Sequence, residues 1–209
     1  NKHQGTISDL GVFSFSTPKI ITTGQGGMIV TNNKTLYERC CELKDFGRKI
    51  GAKKNMKRTF EHETIGYNFK FTEFQAAIGI SQMKRLDEFV AKRHILKRRY
   101  DSLFSDLPVI TPCQYKSCYS ALHLYPIQLE LNKIGKSRNQ IFEKMRNSGI
   151  GVNVHYIPVY THPYYQNLEF KVGYFPNSEN YYNRAISIPL FHAITSKQQD
   201  EVMSVLRRV

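Results

Sequence analysis

Residues 13–32 read FSFSTPKIITTGQGGMIVTN. Residues 10–15 and 27–31 are short, apolar and rich in β-branched or aromatic side chains, which predicts two strands. Between them, Pro18 and three glycines predict a structured turn rather than a helix. The proline is followed directly by Lys19. The stretch therefore predicts a lysine held on a rigid turn between two strands.

Helical periods and short apolar runs alternate over the rest of the chain. The predicted helices cover 33–46, 72–104, 137–147 and 196–208, and the other predicted strands cover 121–129 and 150–156. Three helices open with Ser or Thr followed three residues later by Gln, a capping pattern that in the last helix is assigned to Ser196 and Gln199. Strands that alternate with amphipathic helices predict an α/β fold.

The longest predicted helix, 72–104, is expected to bend at Gly79 and to bridge two packing units. Leu107-Pro108 then marks a boundary. We therefore predict two domains, residues 1–106 and residues 107–209. Residues 48–64 have no apolar period and carry six Lys or Arg residues, so a basic loop is expected there.

Composition limits the class of protein. The 209 residues are 41% hydrophobic, which is globular composition, and no stretch approaches the roughly 20 apolar residues of a membrane span. Thirty Lys and Arg against 17 Asp and Glu give a formal charge of +13. This charge fits a nucleic acid, a small polyphosphate ligand or an ordinary solvated surface, and charge alone does not choose among them.

The four cysteines indicate a reducing compartment. Cys40 and Cys41 are adjacent, and Cys113 and Cys118 lie in a predicted loop. Neighbouring thiols rarely reach disulfide geometry, and the chain has no C-x-x-C pair to nucleate a zinc site. We therefore predict free thiols, no metal site and a cytoplasmic protein.

Lys19 is the candidate nucleophile. A catalytic lysine needs a fixed backbone and a partly desolvated amine, because burial lowers the amine's pKa and frees it to react. Pro18 restricts the chain before Lys19, and the glycines let the backbone pass close to a ligand. On these features alone, an ordinary surface lysine is the commoner outcome, and the spacing matches neither a P-loop nor a dinucleotide-binding motif.

Six blocks in order along the chain resemble a known family. They are residues 13–27, 66–79, 122–125, 149–158, 175–177 and 186–190. Together they resemble the DegT-type (DegT/DnrJ/StrS) nucleotide-sugar aminotransferases, which are pyridoxal 5'-phosphate enzymes of fold type I. The resemblance covers essentially the whole chain. It implies that residues 1–106 are the later part of the large cofactor-binding α/β domain, and residues 107–209 the small C-terminal α/β domain.

The resemblance also implies residue roles. Lys19 matches the lysine that binds the cofactor covalently, and Ser14 matches a serine that holds the cofactor phosphate. Asn68 matches an asparagine that reaches this phosphate from the neighbouring subunit of a homodimer. A related branch of the family has histidine in place of the lysine and dehydrates its substrate. Lys19 therefore favours amino transfer.

Three further residues match substrate-binding positions of the family. His155 and Tyr156 match a His-Tyr pair near the nucleotide sugar. Lys70 stands where the family usually has arginine, and lysine supplies charge but no bidentate phosphate recognition. From the residues alone, Ser14 also fits a sheet-face serine and His155 a core histidine.

The implied reaction converts a nucleotide-linked 4-keto-6-deoxy sugar to its 4-amino form, with glutamate as amino donor, for surface polysaccharide or glycan synthesis. Only 18 residues precede Lys19, so the family's upstream cofactor-binding groups have no counterpart here. We therefore expect a carboxyl-side portion that is inactive alone. The alternatives are a nucleic-acid-binding regulator, which the dispersed basic residues disfavour, and a non-catalytic truncated homologue.

Overall fold

The structure is a computed structural model that describes residues 2–49, 62 and 64–208. The chain forms two compact units, Asn1–Leu86 and Asp87–Val209. The units separate at residue 86, within the helix predicted over 72–104, whereas the predicted domain boundary lies after that helix, at residue 106. The difference arises because that helix contributes buried side chains to the core of the second unit. Most of the predicted basic loop lies outside the described residues.

The first unit opens with the predicted pair of strands. β1 (Gly11–Ser14) pairs antiparallel with β2 (Gly27–Val30), in a register that places Ser14 opposite Gly27. Helix α1 (Lys34–Lys44) follows, and the side chain of Asn33 caps its first turn. Gly47 ends this segment with a φ of +75°, which confirms the predicted left-handed position.

The predicted long helix is two helices. α2 (Glu73–Met83) begins with the capping box that Thr72 and Gln75 were predicted to form, and α3 (Leu86–Leu103) begins three residues after α2 ends. The prediction of one helix with a bend at Gly79 is therefore wrong. Gly79 lies within α2, where an added Cβ would come within 3.1 Å of the Thr23 methyl carbon. Its small size serves a close helix–loop contact rather than a bend.

The second unit is built around a three-stranded antiparallel sheet with helices, which confirms the α/β class. The strand order is β3 (Val109–Ile110), β4 (Tyr125–Leu129) and β5 (Ala185–Ile188). Besides α3, the helices are α4 (Leu131–Ile134), α5 (Arg138–Asn147), α6 (Pro163–Gln166), α7 (Pro176–Arg184) and α8 (Ser196–Arg207). A single 3₁₀ turn, Val159–Thr161, precedes α6.

The predicted strand at 150–156 is wrong. The segment makes one isolated bridge, Asn153 with Ser187, through two backbone hydrogen bonds of 3.1 and 2.8 Å. The Asn153 side chain accepts from the next backbone N–H, that of Val154. This local bond gives the backbone an alternative to a ladder partner, so the pairing does not extend.

The hydrophobic core lies in the second unit. It joins α3, the sheet, α5 and α8, and its fully buried members include Tyr100, Tyr125, Ile127, Ile141 and Met145. In the first unit, the only described residues that are buried are Gly11, Thr23 and Gly47.

The cap of α8 differs from the prediction by one residue. Thr195, not Ser196, caps the helix, and its partner is Gln198 rather than Gln199. In this register Gln199 points inward and is fully buried, together with Val202 and Met203. Thr195 and Ser196 offer equivalent capping boxes, and the structure uses Thr195, the cap that accompanies burial of Gln199, Val202 and Met203.

All four cysteines are free, as predicted. Within the residues that the structure describes, no helix combines the length and apolarity needed to cross a bilayer.

Candidate functional site

Lys19 lies on the loop that joins β1 to β2, and the loop is fixed by its own hydrogen bonds. Phe15 is the centre of this network: its N–H donates to the Gly26 carbonyl at 2.9 Å, and its carbonyl accepts from the N–H of Thr23 at 3.0 Å. The Lys19 N–H donates to the Ser16 carbonyl at 3.0 Å. These bonds give the lysine a defined backbone, as the stretch 13–32 predicted.

Helix α2 holds the far side of this loop. The side-chain amide of Gln75 donates to the Gln25 carbonyl at 2.7 Å. Gly26 has a φ of +144°, and an added Cβ would lie 2.4 Å from a ring carbon of Phe71. Glycine is required here by both its backbone angle and the nearby ring.

The Lys19 side chain is exposed, so the described residues of this chain do not provide the burial that was expected for its amine. Ser14 is also exposed, at the end of β1, and its hydroxyl donates to the Ser16 hydroxyl at 3.2 Å. The loop therefore presents two hydroxyls and an amine to its surroundings. Ser16 was not among the predicted site residues, although its position between Ser14 and Lys19 in the sequence is the signal that could have identified it.

An apolar cavity of about 460 Å³ adjoins the loop. Phe15, Ile21, Phe71 and Met83 line it, and Lys19 does not. The cavity therefore lies beside the lysine loop without enclosing the amine.

Asn68 lies opposite Asp45, just after α1, in an isolated antiparallel bridge. The flanking residues fix this position, because the N–H of Tyr67 donates to the Leu43 carbonyl at 2.7 Å and the N–H of Phe69 donates to the Lys44 carbonyl at 2.9 Å. The Asn68 side chain itself is exposed. Its backbone is thus held while its amide is available to other groups.

The amine of Lys70 is engaged by Asp45. The distance from its Nζ to Asp45 Oδ1 is 3.1 Å, and Nζ lies 4.2 Å from the centre of the Phe46 ring. Arg48 contacts the same carboxylate. The hydrogen bond from Arg48 is the main cause of a lowered pKa of Asp45, and the bond from Lys70 lowers it further. Asp45 was not among the predicted site residues, because nothing in the sequence indicates a contact with Lys70, 25 positions away.

His155 and Tyr156 belong to the second unit. The Nδ1 of His155 lies 2.8 Å from the hydroxyl of Ser187, and the Tyr156 ring meets the imidazole edge-to-face at 4.6 Å. Burial lowers the pKa of His155, which favours a neutral imidazole near pH 7. Tyr156 is 70% exposed. Ser187 was also missed, although a serine inside the buried run Ile186–Ile188 is a signal for a polar contact.

The six predicted residues thus fall into three groups. Ser14 and Lys19 share the β1–β2 loop, Asn68 and Lys70 share the segment that pairs with the end of α1, and His155 and Tyr156 are adjacent in the second unit.

Curated relatives match nearly the whole chain. The spore coat polysaccharide biosynthesis protein SpsC of Bacillus subtilis is 34% identical over 98% of this chain and 54% of its own length. The UDP-4-amino-4,6-dideoxy-N-acetyl-beta-L-altrosamine transaminase of Campylobacter jejuni is 33% identical over 100% of this chain and 55% of its own length. The chain therefore spans about half the length of the curated relatives it matches.

Solved structures share the fold. PseC of Helicobacter pylori, an aminotransferase involved in pseudoaminic acid biosynthesis, gives a TM-score of 0.89 at 31% identity, over 100% of this chain and 55% of PseC. Spr1654 of Streptococcus pneumoniae, solved in its PMP form, gives 0.89 at 25% identity, over 98% of this chain and 53% of that protein. Residues 1–207 match the model of one family, and the chain belongs to that family, the DegT/DnrJ/EryC1/StrS aminotransferases.

Proposed function

We propose that this chain is the carboxyl-side portion of a pyridoxal 5'-phosphate aminotransferase that converts a nucleotide-linked 4-keto-6-deoxy sugar to its 4-amino form. The observation that carries the proposal is a lysine on a fixed, glycine-containing loop in a chain that matches this family over residues 1–207. The name of the Campylobacter jejuni relative, a UDP-sugar transaminase, supports the substrate class.

The residues of the β1–β2 loop fit the cofactor by their chemistry. The hydroxyls of Ser14 and Ser16 are donors of the kind that bind a phosphate, and the primary amine of Lys19 is the group that binds an aldehyde. The exposed amide of Asn68 is a further donor for the phosphate, offered across a homodimer interface in this proposal.

When bound, the cofactor supplies the electron sink for amino transfer. Lys19 would hold it covalently and, once displaced, its Nζ would carry the proton to and from the substrate carbon as general acid and base. A neutral His155, with Nδ1 facing the Ser187 hydroxyl, leaves Nε2 to contact the substrate. Lys70 would contact the nucleotide-sugar phosphates with an amine that also pairs with Asp45, so that carboxylate would offset part of its charge.

Glutamate as amino donor, a homodimer with shared sites, and a cytoplasmic location complete the proposal. Four free thiols support a reducing compartment. The exposed apolar side chains of the first unit, such as Phe69 and Phe74, support a subunit contact there. The name of the Bacillus relative supports a role in polysaccharide synthesis.

The test uses the full-length protein purified with the cofactor. We expect a yellow protein whose visible absorbance is bleached by borohydride, and a Lys19→Ala variant that is colourless and makes no amino sugar from a 4-keto sugar nucleotide and glutamate, as measured by mass spectrometry. Lys34→Ala, which removes an exposed lysine of α1, is the matched control and should behave as the wild type. A colourless wild type that shifts duplex DNA in a salt-dependent manner would instead support the nucleic-acid-binding alternative.

A further inference from the structure

Ser187 is the polar residue of β5, a strand whose four residues are all buried. Its neighbours in the strand, Ile186 and Ile188, belong to the hydrophobic core. A hydroxyl at such a position has lost its contact with water, so its burial costs free energy unless another group bonds to it. The partner of the Ser187 hydroxyl is therefore a significant feature of the second unit.

Ser187 holds the segment around His155 at three points. Its backbone N–H donates to the Asn153 carbonyl at 2.8 Å, and its carbonyl accepts from the Asn153 N–H at 3.1 Å. Its hydroxyl oxygen lies 2.8 Å from Nδ1 of His155, two residues further along the segment. The Tyr156 ring contacts the same imidazole edge-to-face. A strand of the core thus orients the His155 ring, although residues 150–156 form no strand of their own.

The hydrogen bond between Ser187 and His155 has two possible directions, and burial decides between them. In the part of the chain that the structure describes, Nδ1 of His155 is the one hydrogen-bond partner of the Ser187 hydroxyl. If Nδ1 donated, the hydroxyl hydrogen would be buried without an acceptor, and a buried donor without a partner costs free energy. The hydroxyl therefore donates, and Nδ1 accepts.

The direction of this bond determines which nitrogen of His155 carries a hydrogen. Burial lowers the pKa of His155, so the imidazole is neutral near pH 7 and has one N–H group. Because Nδ1 accepts, this hydrogen is on Nε2. No described residue bonds to Nε2, and this atom is not fully buried. His155 thus presents an N–H donor, rather than a basic lone pair, at the accessible side of its ring.

We propose that Ser187 is a positioning residue that holds His155 in its Nε2–H tautomer, so that His155 donates a hydrogen bond to an oxygen of the nucleotide sugar. The substrate in this inference rests on the proposed function. A phosphate oxygen and the keto oxygen of the sugar are both acceptors of the required kind. In this role His155 binds the substrate and takes no proton from it.

The tautomer can be measured by long-range ¹H–¹⁵N NMR of the full-length protein labelled with ¹⁵N-histidine, at about pH 7.5. The signals that are missing from His155→Gln identify His155. We expect Nδ1 to have the chemical shift of an unprotonated nitrogen and Nε2 that of a protonated one. In Ser187→Ala, the Nδ1 shift should move towards that of a nitrogen without a hydrogen bond. A protonated Nδ1 in the wild type, or an unchanged Nδ1 shift in Ser187→Ala, would overturn the proposal.

Steady-state kinetics of the full-length enzyme, with a UDP-linked 4-keto-6-deoxy sugar and glutamate, measures the contact with substrate. We expect Ser187→Ala to raise the KM for the sugar nucleotide about threefold to tenfold, the effect of one weakened hydrogen bond, with kcat and the KM for glutamate nearly unchanged. Ser196→Ala, which removes an exposed hydroxyl of the same unit, is the matched control and should not change either KM. An unchanged KM for the sugar nucleotide in Ser187→Ala would contradict the positioning role.

Two variants of His155 separate hydrogen bonding from proton transfer. His155→Gln keeps an N–H donor near the position of Nε2, whereas His155→Leu has none. We expect the KM of the Gln variant to stay within about threefold of the wild type and that of the Leu variant to rise about tenfold. A loss of kcat that is equally large in both variants would show that His155 is a base and would overturn the proposal.

Inhibition by UDP identifies the acceptor oxygen. Weaker inhibition of His155→Leu than of the wild type would support a phosphate oxygen, and equal inhibition, together with the raised KM, would support the keto oxygen. If the wild-type enzyme transfers no amino group, the proposed function fails, while the NMR measurement still decides the role of Ser187 because it requires neither substrate nor activity.

Discussion

At the scale of single residues, the lysine loop depends on Gly26. Its φ of +144° and the Phe71 ring carbon 2.4 Å from a built Cβ both oppose any other residue. We expect Gly26→Ala to lower the free energy of unfolding by about 1–3 kcal/mol. Gly24→Ala is the matched control, because Gly24 also has a positive φ but no atom within 4 Å of an added Cβ. Equal losses in urea unfolding of the two variants would show that the contact with Phe71 is unimportant.

The second residue-scale prediction concerns His155 and pH. Burial holds the pKa of His155 below the ordinary value of 6.5, so between the two values the unfolded chain binds more protons than the folded chain. The stability that a neutral His155 contributes is therefore complete above about pH 6.5 and falls as the pH drops towards its folded pKa. Urea unfolding at about pH 7.5 and pH 5.5 should show a larger loss for the wild type than for His155→Asn. The same loss in both proteins would exclude His155 as the cause.

Prediction from sequence succeeded for the local conformation of residues 13–32 and failed for contacts between distant segments. Lys19 and the turn that carries it were predicted because proline, lysine and glycines lie within one short stretch. Asp45 and Ser187 were not, because each meets its partner only after folding, across 25 residues for Lys70 and 32 for His155. The exposure of Lys19 could not be predicted from the sequence either, because the burial of a loop residue depends on which other segments cover the loop.

At the level of secondary-structure elements, α8 shows why a local sequence motif can fit two different N-cap positions. The sequence Thr195-Ser196-Lys197-Gln198-Gln199 contains two overlapping capping boxes, and the structure uses the first. Thr195→Ala should therefore cost about 1 kcal/mol of stability. Ser196→Ala removes the unused cap and should change stability by less than about 0.5 kcal/mol. Thermal unfolding of the two variants tests this, and a larger loss for Ser196→Ala would contradict the assigned cap.

A contact between elements, rather than propensity, explains the glycine in α2. Replacing a helical glycine by alanine normally adds about 1 kcal/mol of stability. At Gly79, however, the new Cβ would lie 3.1 Å from the methyl carbon of Thr23, which is 4% exposed and held by hydrogen bonds to Phe15 and Gln25. The methyl group therefore has little room to move away.

We accordingly expect Gly79→Ala to destabilise the wild type but to stabilise a Thr23→Ser background, which lacks the methyl group. Urea unfolding of the four proteins in this double-mutant cycle measures the coupling. The same change in stability in both backgrounds would mean that the Thr23 methyl group moves away from the new Cβ at little cost.

At the scale of the whole molecule, burial is very unequal. The core cluster is made entirely of residues from Leu96 onwards, whereas the first unit buries only Gly11, Thr23 and Gly47 among its described residues and leaves side chains such as Phe69 and Phe74 exposed. Apolar burial is the main favourable term in folding. The second unit therefore has much more stabilising burial of its own than the first unit has. This difference is also what a portion of a longer family member would show, because the chain spans about half the length of its relatives.

We therefore expect a fragment of residues 85–209, which retains α3 and the complete core, to unfold cooperatively by itself, while residues 1–86 remain unfolded. Circular dichroism during urea titration measures both, and proteolysis provides an independent check of compactness. Because α3 supplies Leu96 and Tyr100 to the core, and Phe104 follows directly after it, a fragment that starts at residue 107, the boundary predicted from sequence, should lose cooperativity. Cooperative folding of 107–209 would show that α3 is dispensable for this core, and a folded 1–86 fragment would contradict the argument from burial.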